Sequence, residues 1–216
     1  RIRGTIAAYH AMVAHVDAMV GRLMEALRRT GLEHRTAVVF TSDHGEMLGD
    51  HGILHKGPLF YRGAVQVPLI WRLPEGLGPR GVVDEGFASH VDFAPTVSAL
   101  AGVPGPRLVQ GSPLLGPDGV LRPVPPRDAA LVEWREKAFG SEEPFAVARC
   151  LVSSRWKYVC WPGQAYGELY DRQADPIEVR NLWHSPAHAG VRVELRRRLE
   201  QFVIESEPCP LRTDLF

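Results

Sequence analysis

Seven apolar residues near the start of the chain, Ile6, Tyr9, Val13, Val16, Val20, Leu23 and Leu27, recur by alternate threes and fours. That period places them on one face of a helix spanning 5–29. Gly31, just after Thr30, stands where a left-handed residue closes a helix. The next apolar run, Ala37-Val38-Val39-Phe40-Thr41, is short and β-branched and reads as a fully buried strand. Helix, tight turn and buried strand make half of an α/β unit, which predicts a parallel sheet.

The rest of the chain carries weaker periods. Val67 to Trp71 resembles a second buried strand, with Pro68 tolerated near its start. Residues 74–86 are rich in Gly and Pro and read as an exposed loop. His90 to Ala101 returns to a helical pattern, with Pro95 in its first turn and Gly102 closing it. Prolines and glycines crowd 103–128, a surface connection that sets a boundary between 1–120 and a smaller unit, 121–216. Residues 130–135, 145–153, 155–160 and 167–170 read as short strands, with a hairpin around Ser153, Ser154 and Arg155. A final helix, 188–204, puts Val191, Leu195, Leu199 and Phe202 on one side. Its Arg196-Arg197-Arg198 run is a solvated face. There are no internal repeats.

Composition removes several classes. The 25 basic residues equal the 25 acidic ones, so the basic footprint of a nucleic-acid binder is missing. The chain is 45% hydrophobic and 23% charged, which excludes a disordered polyanion. No apolar run approaches the roughly 20 residues that a membrane-spanning helix needs. Cys150, Cys160 and Cys209 are odd in number and far apart, so they form no disulfide framework and read as plain thiols. No signal peptide is visible, yet the chain starts at Arg1 rather than Met, and an upstream segment is expected. Compartment is left open, with a lean to the cytoplasm, and oligomeric state is open too.

The chemistry concentrates in residues 43–56. Asp43 and His44 fall where the first strand ends, the place where open α/β sheets gather ligands. Alternate strand residues point to opposite faces, so both can reach one site only if the chain leaves extended geometry, which Gly45 makes cheap. A carboxylate oxygen beside an imidazole nitrogen is half of a divalent-metal site, for Ca2+, Mn2+, Mg2+ or Zn2+. Lys56, thirteen residues on, can return as a point charge toward an anionic substrate oxygen. Metal-assisted transfer of an anionic group follows. Two rival readings fail. His51 and His55 have zincin spacing without its Glu, and Gly52 to Lys56 lacks the second glycine and the Ser/Thr of a phosphate loop.

These residues resemble a known family. Thr41-Ser42-Asp43-His44-Gly45-Glu46-Met47-Leu48-Gly49-Asp50-His51-Gly52, then Lys56-Gly57 and Val67-Pro68-Leu69-Ile70, are similar to the type I sulfatases of the alkaline phosphatase superfamily. The preceding helix, the segment His90 to Gly102, and Glu168-Leu169-Tyr170-Asp171 followed by Asp175-Pro176, Glu178 and Asn181-Leu182 continue the resemblance in the family's order. It implies an α/β fold: the C-terminal part of an alkaline-phosphatase-like α/β/α domain, plus a small four-stranded antiparallel sheet packed by a helix. Asp43 and His44 would be metal ligands and Lys56 would contact the sulfate or its leaving oxygen. His51 joins the catalytic set as a residue that orients the loop, while His55 is loop surface. One divalent cation is implied, with Ca2+ or Mn2+ ahead of Mg2+ or Zn2+.

Family catalysis also implies a formylglycine nucleophile, made from Cys or Ser in [CS]-x-[PA]-x-R. No cysteine or serine here fits: Cys160 comes nearest, but Gln164 replaces the arginine. Arg62-Gly63 also stands where members often carry acidic residues. The reading is therefore a sulfatase-like hydrolase of small-molecule or saccharide sulfate esters, whose nucleophile and N-terminal half of the catalytic domain lie upstream. This chain alone is expected to be inactive. Two alternatives stay open: a phosphonate monoester or phosphodiester hydrolase of the same superfamily, and an inactive fragment serving as an interaction module.

Overall fold

A computed structural model describes residues 2–105, 109–116, 118–120, 127–136 and 146–206. Cys209 and part of the 103–128 connection lie outside the described residues. The chain forms two compact units that divide at Gly78 and Pro79, ahead of the expected boundary at 120. The reason lies in the polar ties of the helix near residue 96, set out below.

The first unit opens with α1, Ile2–Arg29. Its end is a left-handed cap: Gly31 has φ 69°, Gly31 N–H donates to Arg28 O and Leu32 N–H to Leu27 O. The helix forms where its period places it, but its apolar face stands open. No α1 residue is buried, and Met12, Val13, Val16 and Leu23 are 60%, 50%, 49% and 53% exposed.

Strands β1, Val38–Thr41, and β2, Leu69–Arg72, pair in register from Val38↔Arg72 to Thr41↔Leu69. Two expectations are corrected here. The pair is antiparallel, not parallel, because the link from 42 to 68 contains no long crossover helix, only the single-turn α2, Arg62–Val65. Neither strand is fully buried: Phe40 and Ile70 are exposed, since nothing among the described residues covers those side chains. Arg72 locks the sheet end by donating to the Glu33 carboxylate at 2.7 Å and to Glu33 O at 3.2 Å.

The second unit begins with a turn at His90–Asp92 and α3, Phe93–Leu100. Ser89 and Asp92 form a reciprocal capping box, and Gly102, at φ 66°, ends the helix as expected. Asp92 is 1% exposed and does more than cap. Its carboxylate accepts from Ser89 N at 2.8 Å, Ser112 N at 2.9 Å and Arg127 Nη1 at 2.6 Å. Thr96 Oγ1 accepts from Leu114 N at 2.9 Å. These bonds tie α3 to the later segment, so it belongs with the second unit.

Asp92→Ala strands those donors, and the loss of stability is about 2–3 kcal/mol. Urea denaturation followed by tryptophan fluorescence measures it. A loss below about 0.5 kcal/mol would show that water replaces the carboxylate at no cost.

Four strands complete the unit: β3, Ala129–Glu136; β4, Ala146–Ser153; β5, Trp156–Cys160; and β6, Gly167–Asp171. They form an antiparallel sheet in chain order. Alternation turns Ala129, Leu151, Tyr158 and Leu169 to one face, where they meet Leu195 and Leu199 of α4, Ala189–Ser206. Val191 and Phe202 pack at the edge of that core, as the helical period predicts. The β4–β5 hairpin is held by Ser153, whose Oγ accepts from Trp156 N at 2.9 Å and donates to Trp156 O at 3.0 Å. Arg196 pairs with Glu200 one turn on and Arg198 with Asp128, so the arginine run is a solvated face.

Candidate active site

The site grows from the end of β1. The strand stops at Thr41, and Ser42 begins the turn by donating its hydroxyl to His44 O at 2.8 Å. Asp43 Oδ1 accepts the His44 backbone N–H at 3.0 Å. That bond folds the dipeptide back on itself, so both side chains reach one place despite the alternation of a strand. Gly45 is needed for a different reason than the expected one. A Cβ there would lie 1.9 Å from Gly63 O, and Gly45 N–H donates to Ala64 O at 2.8 Å. Close approach to α2, rather than a left-handed backbone, demands the glycine.

The His44 ring has an assignable tautomer. Its Nδ1 lies 2.8 Å from Gly45 O, and a carbonyl only accepts, so Nδ1 carries the proton. Nε2 is then a lone-pair acceptor. It faces Lys56 Nζ at 2.5 Å, while Asp43 Oδ2 stands 3.4 Å away. The structure thus brings Asp43, His44 and Lys56 together across the thirteen-residue step. The Asp43 side chain is 83% exposed, so the group opens to solvent.

The bond from His44 N–H holds the Asp43 carboxyl below the usual carboxylate range, against the opposing effect of desolvation and with further help from the Lys56 charge. A depressed folded value keeps this carboxylate ionised above its ordinary 3.8, and the charge is lost only as pH falls through the lower value.

A divalent cation fits this donor set in part. Oxygen and nitrogen ligands about 2.1–2.4 Å from one cation, at right angles, sit roughly 3.0–3.4 Å apart. Asp43 Oδ2 and His44 Nε2 have that spacing, but the Lys56 ammonium stands 2.5 Å from Nε2 and takes the lone pair a cation would use. Among the described residues no third His, Cys, Asp or Glu joins the pair.

His51 is placed differently from the other three. It stacks on Tyr61, with ring centroids 3.8 Å apart and planes 15° apart. His55 is exposed on the loop, as expected. Arg62 donates to Gln66 Oε1 at 2.8 Å. Sequence reasoning missed Ser42, Tyr61 and Gly63; only the glycine pair, Gly45 and Gly63, left a signal, because neither sits in an ordinary turn pattern.

The fold is that of a segment of a domain from the alkaline phosphatase superfamily. Residues 3–103 match the sulfatase family model, and the chain belongs to the sulfatase family. It is 35% identical over 198 residues to a sulfatase, YidJ, of Escherichia coli K12, which covers 90% of this chain and 37% of that protein. Two solved structures are also similar. One, in complex with its substrate D-glucosamine-2-N,6-O-disulfate, has 30% identity and a TM-score of 0.76, covering 90% of this chain and 39% of that one. The other is a phosphonate monoester hydrolase of Agrobacterium radiobacter, with 32% identity and a TM-score of 0.83, covering 92% and 41%. The chain spans about a third of the length of the curated relatives it matches. Sulfatases generally use a divalent metal and a formylglycine.

Proposed function

We propose that this chain supplies the second half of the active site of a hydrolase acting on sulfate esters, with sulfated saccharides as the substrate class. The observation that carries the reading is the contact of Lys56 Nζ with His44 Nε2 at 2.5 Å, beside Asp43. It puts an ammonium, an imidazole and an ionised carboxylate at one solvent-open point. Asp43 and His44 would hold one divalent cation, with Ca2+ or Mn2+ put first by the family resemblance. Bound there, the cation supplies Lewis-acid stabilisation of anionic ester oxygens.

The chain's own groups do the rest. Ser42 and the His44 N–H fix the Asp43 turn, so the carboxylate needs no reorganisation. Gly45 O holds the His44 tautomer that points the Nε2 lone pair at Lys56, and a cation bound at Nε2 would take that lone pair as Lys56 turns to the substrate oxygen. Lys56 binds a non-bridging or leaving oxygen of the tetrahedral anion and offsets the charge that develops on it. The nucleophile and further acidic ligands would come from residues outside this chain. Saccharide preference rests on the glucosamine disulfate bound by a similar structure. A phosphonate ester is the second reading, favoured by the TM-score of 0.83 to a phosphonate monoester hydrolase.

The test is hydrolysis by the complete protein. Aryl sulfate is expected to be cleaved with a kcat/KM at least about tenfold above that for a phenylphosphonate ester. The reverse order would replace the sulfate reading. Asp43→Asn is expected to weaken Mn2+ binding by at least about tenfold in calorimetric titration, since a charged oxygen ligand is lost. Unaltered metal affinity would remove Asp43 from the ligand set.

A further inference from the structure

Lys56 lies midway between His51 and Tyr61, five residues from each. The two ends of that segment meet, because the His51 and Tyr61 rings are stacked at 3.8 Å. The segment is therefore a loop closed at its neck, with Lys56 centred between the two ends. The approach to the neck is strained. Leu48 at φ 48° and His51 at φ 54° are left-handed residues carrying a Cβ, flanked by Gly49 at 106° and Gly52 at 76°. Such backbone persists only where its surroundings over-determine it.

The other side of the neck is anchored to the metal-facing turn. Phe60 and Ala64 are buried on either side of Tyr61. Ala64 O accepts the Gly45 N–H, and Gly63 O fills the space a Gly45 Cβ would need. One short stretch, 60–64, thus touches both the turn that bears Asp43 and His44 and the loop that bears Lys56.

We propose that Tyr61 is a positioning residue: by stacking on His51 it closes the neck of the 51–61 loop and holds the Lys56 ammonium against His44. The contribution to turnover rests on the hydrolase reading, whereas the contribution to the Lys56–His44 contact does not.

The test has two readouts. In this chain, the nuclear Overhauser contact between the Lys56 Hε protons and the His44 ring reports the geometry. In the complete enzyme, kcat and KM for an aryl sulfate report its use. Tyr61→Ala is expected to lose the Overhauser contact, and to lower kcat by roughly tenfold to a hundredfold with KM changed less than about twofold. Tyr61→Phe keeps a ring and is expected to retain both. If Tyr61→Ala keeps the contact and the rate, or if Tyr61→Phe is as impaired as Ala, the proposal is overturned. If the unmodified enzyme cleaves no ester yet Tyr61→Ala still loses the contact, the hydrolase reading fails and the latch stands. Should Tyr61→Ala not fold, His51→Asn removes the opposing ring while tolerating a positive φ, and the same two outcomes decide.

Discussion

Lys56→Ala is expected to lower kcat for an aryl sulfate by about 10²- to 10³-fold in the complete enzyme, with unfolding free energy changed by less than about 0.5 kcal/mol. The two parts have separate grounds. Lys56 is only half-buried, and its described polar contact is His44 Nε2 at 2.5 Å, a nitrogen that water can also serve. Removing the ammonium therefore strands no deeply buried partner. The charge itself is aimed beside Asp43 and His44, where an anionic ester would bring its oxygens, and a preorganised charge there costs no reorganisation during reaction. Lys56→Arg is not expected to rescue the rate. The wider planar guanidinium cannot stand where a compact ammonium fits 2.5 Å from the ring nitrogen. Steady-state kinetics beside urea denaturation reads both quantities. A kcat within about twofold of the parent would remove Lys56 from the site.

What was legible in the sequence is the part governed by local rules. The period of Ile6 to Leu27 and the Gly31 cap located α1, and short apolar runs located the strands of the second unit, whose antiparallel sheet and packed helix the family resemblance implied. Asp43, His44 and Lys56 could be singled out as candidates because their types carry the chemistry. Their meeting was not legible, since it depends on a hydrogen bond from His44 N–H back to Asp43 and on a loop that closes over thirteen residues. The direction of β2 was missed for a related reason. An apolar run such as Val67 to Trp71 records burial propensity but not the sense in which a strand pairs. Burial itself failed at Phe40 and Ile70, because apolar content shows what a strand face suits and cannot show whether a neighbour is there to cover it.

Glu178→Gln is expected to cost about 3–5 kcal/mol of stability, an effect that has nothing to do with the open site. Glu178 follows β6 in a turn where Asp175 O accepts its N–H at 3.1 Å. Its backbone is left-handed, φ 59°, which a residue with a Cβ adopts only when something holds it. The holder is Lys157 of β5, with Nζ 2.5 Å from Glu178 Oε1, and both side chains are 1% exposed. Arg172 Nε stands 3.7 Å from the same oxygen. Taking one charge away leaves an ammonium out of water without its carboxylate, which is far worse than never having buried either. The double variant Lys157→Met, Glu178→Met is therefore expected to recover most of the loss. It falls short by about 1–2 kcal/mol, because Met at 178 still has to adopt the left-handed backbone without an ion pair to hold it there. Urea midpoints at constant m-value, read from the tryptophans of this unit, give all three numbers. If the single variant loses less than about 1 kcal/mol, or the double variant is no better than the single, the pair is solvated in practice and does not hold the turn to the sheet.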